Sequence, residues 1–248
     1  MAVKLPKDWK AVDISQARGK ARNRIYRVGL ELEGGWNNLQ PGIRLVHDGS
    51  VRFATAVPHI GEMPSPVLEV IKGSPTYWVP WLKVNYPHHI NETCGMHVHM
   101  SFKTAFAYNR LMTPQFPATV VEEFKKWAKT EGLVATHPLM SRLGGNSRYC
   151  QFKFDADGQV MNKDKDHNQD RPGHRYTVIN YCYGRYNTIE CRLLPMMGNF
   201  DQAFRAVNEL LEITNAFLIG LPMKREPKHI LKHDVEDLME RTIIRFHV

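Results

Sequence analysis

Three tripeptides constrain this chain more than any other feature: Glu31-Leu32-Glu33, His97-Val98-His99 and Glu190-Cys191-Arg192. In each, an apolar residue stands between two charged or ligand-bearing ones. Side chains two apart on a strand share one face of its sheet. Placed in strands, the triplets turn their centres to a core and their flanks together to the opposite side. A sheet built from them has an apolar back and a front of carboxylates, imidazoles and a guanidinium. "HDGS" (47–50) and "GEMPSPVLE" (61–69) add Asp48, Glu62 and Glu69 between them.

The remaining pattern agrees with a sheet. Residues 26–33, "YRVGLELE", alternate and stop at Gly34-Gly35, which predicts a strand and a turn. "RLVHDGSVRF" (44–53) has the form of a hairpin around Asp48-Gly49. Residues 67–74 and 96–102 read as further strands, and 176–195 as two strands about a short turn. Helical spacing covers 118–132, closed by a glycine, and 201–220, with an aspartate near its start and a glycine at its end. A last helix is expected over 233–243. Strands come in neighbouring groups rather than in strict βαβ alternation, which predicts an α+β fold with a mainly antiparallel sheet.

The 248 residues are 43% hydrophobic, enough to bury a sizeable core, and carry no internal repeat or low-complexity linker. The expected organisation is a basic N-terminal arm, 1–25, followed by a single domain, 26–248. Net charge is +8. Much of the excess lies near the start, where Arg18, Lys20, Arg22, Arg24 and Arg27 follow one another without an acid. Such an arm can touch an anionic partner or simply be solvated. It lacks the interleaved aromatics of a nucleic-acid stacking platform. Four scattered cysteines with no CxxC pair point to reduced thiols and a cytoplasmic setting. No apolar run approaches the roughly 18–20 residues that span a bilayer, so no membrane partner is expected.

The triplets together favour a metal. Zinc in a closed structural site prefers Cys and His. Cys94 with His97 and His99, or with His88-His89, could supply them, but the glutamates would be left unexplained. Several carboxylates with imidazole suit Mg²⁺ or Mn²⁺, which in turn hold phosphates. Arg142, Arg148, Arg175, Arg185 and Arg192 could meet phosphate oxygens in bidentate fashion. Those parts compose a phosphoryl-transfer site. Neither a P-loop nor the Rossmann glycine fingerprint is present.

In order along the chain, "VGLELEGG", "HDGS", "EMPSP", "CGMHVHMSF" and "YNTIECRLLP" resemble the amidoligase family. That family is a branch of the carboxylate–amine ligase superfamily, with glutamine synthetase and glutamate–cysteine ligase. The matching motifs run from about residue 26 to 201, and "GMHVHMS" is also similar to a strand of the glutamine synthetases. The resemblance implies a curved antiparallel sheet of glutamine synthetase catalytic-domain type, with helices on its outer face and ATP and Mg²⁺ or Mn²⁺ on its concave one. It implies metal ligation by Glu31, Glu33, Glu62, His97 and Glu190, with His99 nearer the nucleotide phosphates. Arg192 would meet the transferring phosphate and Asp48 would lie near substrate. Arg175 and Asn180 would hold substrate or phosphate. Cys191 stands where the family has an aromatic and is expected to face the core. "GNFD" replaces the family's G-T-x-D, which leaves Asn199 without a role, and Glu69 is either a further ligand or a plain strand acid.

The implied reaction is ATP-dependent: a substrate carboxylate becomes an acyl phosphate, and an amine then displaces phosphate to leave an amide or peptide bond. No nucleophilic cysteine is needed, and Cys94 is expected to be a packing residue. Two alternatives stand beside this: another ATP phosphotransferase that stops at a phosphorylated product, and a zinc-stabilised basic module that binds nucleic acid through its arm. Specificity for the carboxylate and amine partners would reside in loops 34–47 and 155–174.

Overall fold

The computed structural model describes residues 24–113, 115–145, 147–151, 176–182 and 186–219. These form a mixed structure of helices and one open, antiparallel, six-stranded sheet. The strands are β1 (Ile25–Trp36), β2 (His59–Pro64), β3 (Leu68–Glu69), β4 (Met96–Phe102), β5 (Ile179–Cys182) and β6 (Thr188–Cys191). Their order is β2-β1-β4-β6-β5, with β3 also paired to β1. Helices α1 (Trp78–Asn85), α2 (Ala105–Leu111), α3 (Gln115–Thr130), α4 (Pro138–Leu143) and α5 (Phe200–Ile219) accompany it.

One face of the sheet is apolar for the reason the triplets gave. Leu30, Leu32, Met96, Val98, Met100, Ile189 and Cys191 are buried, and all belong to one core with the apolar residues of α5. Thr214 of α5 donates to the Met100 sulfur, and Asn215 accepts from the backbone N–H of Ile25, so α5 lies against this face. Trp78 of α1 stacks on Phe204 of α5, and Phe116 of α3 packs on Phe217. Burial of each large aliphatic chain contributes about 1.5–3 kcal/mol. A one-residue slip of β1 or β4 would bring charged side chains into this layer, so the register is firmly set.

Several sequence expectations are corrected. Gly34-Gly35 is not a turn: β1 runs through it to Trp36, pairing with Gly61 and Ile60 of β2. A Cβ on Gly34 would sit 2.6 Å from Pro87, and one on Gly35 2.6 Å from Val57, so the glycines admit loops packed against both faces. Residues 44–53 form no hairpin. The Asp48-Gly49 turn is real, closed by Val51 N–H to Asp48 O at 3.2 Å, but only Val46 bridges to β2. The 67–74 strand shrinks to Leu68–Glu69, while β2 was not foreseen because Gly61 and Pro64 break its pattern. Helices α1, α2 and α4 are additional. The expected helix 118–132 begins three residues earlier and ends two residues sooner, at Thr130; Gly132, with a φ of +65°, carries a Schellman closure, Leu133 N–H to Ala128 O at 2.9 Å. Helix 201–220 is α5, and the two strands within 176–195 are β5 and β6. The helix expected at 233–243 and nearly all of the basic arm lie outside the described residues. Ile25, at the arm's end, already opens β1.

Candidate metal centre

The face opposite α5 carries the polar members of the triplets, and the ladders bring them together. Glu31 stands opposite His97 across β1 and β4, His99 opposite Glu190 across β4 and β6, and Asn180 opposite Glu190 across β5 and β6. On the other side of β1, Glu33 stands opposite Glu62. Residues from five strands thus meet in three adjoining rows.

His97 is at the centre and 2% exposed. Its Nδ1 lies 3.1 Å from Glu31 Oε2 and 3.7 Å from Glu190 Oε1, and its Nε2 lies 3.4 Å from Glu33 Oε1. His99 Nε2 is 3.0 Å from Glu31 Oε1, and its Nδ1 is 3.0 Å from Thr188 Oγ1. Glu190 is clamped on both oxygens: Arg192 Nη1 donates to Oε1 at 2.7 Å and Asn180 Nδ2 to Oε2 at 3.0 Å. Asn180 is held in turn by the Thr177 hydroxyl. Glu33 Oε2 accepts the Gly95 backbone N–H at 2.5 Å, a contact that a Cβ on Gly95 would block at 2.8 Å. Glu31 is partly open, with about a quarter of its side chain exposed.

Three sets of groups offer ligand atoms within 4.8 Å of one another: Glu31, His99 and Glu190; Glu31, Glu62 and His97; and Glu33, Asp48 and Glu62. Glu31 links the first two and Glu62 the last two. The first pair of sets mixes carboxylate with imidazole, and the third is all oxygen. Such a donor set suits hard to borderline divalent ions.

The electrostatics point the same way. Burial pushes the Glu62 carboxyl up, and the neighbouring Glu31, Glu33 and Asp48 push it further, to about 8. Crowded carboxylates that must take up a proton mark a place where a cation would relieve repulsion. Burial would raise Glu31 as well, but His99 and His97 outweigh it and hold Glu31 well below the ordinary range. Asp48, also opposed by burial, is held low by the Ser50 N–H at 2.7 Å and hydroxyl, and by His97 and Arg192.

No family model, curated protein or solved structure matches this chain. The geometry of the site itself therefore carries the functional reading.

Of the expected site residues, Glu31, Glu33, Glu62, His97, Glu190, Asp48, His99, Asn180 and Arg192 converge. His99 also offers an atom to one of the three sets. Asn180 is fully buried and orients Glu190. Arg175 and Arg185 lie outside the described residues. Glu69 is a strand acid, ion-paired with Arg27 at 2.8 Å and absent from all three sets. Asn199 caps α5, its Oδ1 accepting from Gln202 N–H at 2.9 Å. Arg142 is not presented to a phosphate: it is 3% exposed and donates to backbone carbonyls. Arg148 instead lies over the ring of its neighbour Tyr149. Cys191 pairs with Val98 and is buried in the core. Cys94 joins no ligand set, and burial raises its thiol to about 11. All four cysteines are free and buried.

Two contributors were missed. Thr188 lies two residues before Glu190, and extending the period-two rule backward would have found it. Gly95 carries no side-chain signal, and only its position just before the His-x-His strand marks it.

Proposed function

We propose that this chain is an ATP-dependent carboxylate–amine ligase of amidoligase type, with a sheet of the glutamine synthetase catalytic kind. What supports the reading is a single observation: the ladders Glu31–His97 and His99–Glu190, which bring the three triplets onto one face with Arg192 beside them. Glu31, Glu33, Glu62, His97, His99 and Glu190 would hold Mg²⁺ or Mn²⁺. When bound, the ions neutralise charge on a nucleotide's phosphates.

The chain's own residues supply the rest. Burial works against the Arg192 charge, but Glu190, Glu33 and Glu31 outweigh it and keep Arg192 a fixed cation at the edge of the cluster. It favours charge building up on a phosphoryl group in transfer. Glu190 is kept from rotating by Asn180 and Arg192, which orients one oxygen toward His97 and Arg192. The Asp48 loop is locked over the cluster, because Asn91 Nδ2 donates to Arg52 O at 2.5 Å and Arg52 N–H to Thr93 Oγ1 at 3.2 Å. Asp48, ionised beside this rim, is placed to receive a proton from an attacking amine. ATP and a carboxylate give ADP and an acyl phosphate; the amine then displaces phosphate and loses a proton. Among the described residues no helix is long and apolar enough to cross a membrane.

The test is to incubate the protein with ATP, Mg²⁺ and a panel of amino-acid and peptide carboxylates, using hydroxylamine as the amine. The ligase reading expects hydroxamate and ADP in equal amounts, lost in Glu31→Gln. ADP formation that gives phosphorylated product and no hydroxamate would identify a phosphotransferase instead.

A further inference from the structure

We propose that Arg142 is a positioning residue that ties the start of β4 to the chain leaving β6, and thereby fixes Glu33 and, through Arg192, Glu190 for cation binding. The proposal rests on the reading of the cluster as a divalent-cation site.

Arg142 sits in the last turn of α4 and is 3% exposed. A buried guanidinium is costly unless it is fully hydrogen-bonded. None of the described carboxylates forms a salt bridge with it; its partners are carbonyls. Nη1 donates to Arg192 O and to Leu194 O, each at 2.9 Å, and Nη2 to Cys94 O at 3.4 Å. Leu194 O also accepts from Met96 N–H at 2.9 Å, and Cys94 O from Met196 N–H at 3.0 Å. The planar fork thus joins a two-segment ladder at its own carbonyls, a geometry that an ammonium cannot reproduce.

Both segments lead directly to the site. Cys94 precedes Gly95, whose N–H holds Glu33. Arg192, whose carbonyl Arg142 grips, uses its side chain to hold Glu190. The Gly95 Cα is the point where the parts meet: a Cβ there would lie 2.8 Å from Glu33 Oε2, 3.1 Å from His97 Nε2 and 3.2 Å from Arg142 Nη2.

Charge and position make opposite demands. Removing a positive charge beside a cation site tightens cation binding if charge is all that matters. Removing a clamp loosens it, as loss of supporting partners does at metal sites, by roughly 10–100-fold.

The experiment titrates Mn²⁺ into wild type, Arg142→Lys and Arg142→Met at pH 8, followed by electron paramagnetic resonance. Amide exchange at Gly95 is read in the same proteins by NMR, with α5 amides reporting that the fold is intact. The proposal expects both variants to bind Mn²⁺ at least ~10-fold more weakly and Gly95 to exchange faster while α5 stays protected. Equal or tighter binding in folded variants, with Gly95 exchange unchanged, would overturn it. If Arg142→Met does not fold, Arg142→Lys decides, since it keeps the charge and loses the fork. If wild type itself binds no Mn²⁺, the cation reading has failed, and Gly95 exchange alone decides whether Arg142 ties the two segments.

Discussion

Glu31 of β1 and His97 of β4 stand directly opposite each other across their ladder, and their side chains meet at 3.1 Å. Glu31 reaches His99 with its other oxygen at 3.0 Å. One carboxylate therefore spans both imidazoles of the His-x-His strand and belongs to two of the three ligand sets. Its replacement by glutamine keeps the shape and removes a charge. Glu31→Gln should weaken Mn²⁺ or Mg²⁺ binding by ~100-fold or more, beyond what loss of a supporting partner does. Calorimetric titration measures it, with circular dichroism to show an unchanged fold.

Glu62 predicts a pH dependence. Its pKa in the fold, about 8, lies above its ordinary value of 4.5, so the folded state keeps a proton that the unfolded chain has lost. This contribution is complete below about pH 4.5 and is lost as pH rises through 8. Without divalent ions, this group makes the fold less stable from pH 5 to 8. Divalent ion binding should release a proton and grow tighter over the same range. Titration at pH 7 in two buffers of different ionisation heat reads the proton release, and Glu62→Gln should abolish it.

Gly95→Ala tests the close approach at the start of β4. The added methyl would need the space of Glu33 Oε2 at 2.8 Å, with His97 and Arg142 filling the alternatives. Divalent ion affinity should fall at least ~10-fold, and the Gly95–Glu33 hydrogen bond should be lost from amide exchange data.

The three triplets made the apolar back and polar front of the sheet legible, because a period of two needs only sequence. The pairing of the strands was not legible, since Glu31 meets a histidine 66 positions further along the chain and only the fold supplies that register. Nor was β2, whose Gly61 and Pro64 hide its alternation. Glu69 and Glu62 look alike in "GEMPSPVLE", yet one pairs with Arg27 at the sheet margin and the other enters the cluster. Arg142 shows the same limit: residue type marked it as a phosphate contact, while its position on α4 turned it to carbonyls.

Elements remote from the site should affect stability alone. Arg205 of α5 makes a bidentate ion pair with Glu131, just past α3, at 2.8–3.0 Å, partly exposed. Arg205→Ala should cost about 0.5–1 kcal/mol, and Asn199→Ala, at the α5 cap, about 1 kcal/mol. Each amounts to roughly 1–4 °C in melting temperature. Neither should change divalent ion affinity.

The central claim is that the carboxylate–histidine face holds divalent ions and, with them, a nucleotide. Thermal unfolding with Mn²⁺ and a non-hydrolysable ATP analogue tests it most directly, beside the double variant Glu31→Gln/Glu62→Gln. Ligand at about 100 times its dissociation constant should stabilise wild type by roughly 2.7 kcal/mol, or about 5–10 °C, only with metal present and not in the variant. No shift at millimolar nucleotide, or an equal shift in the variant, would contradict it.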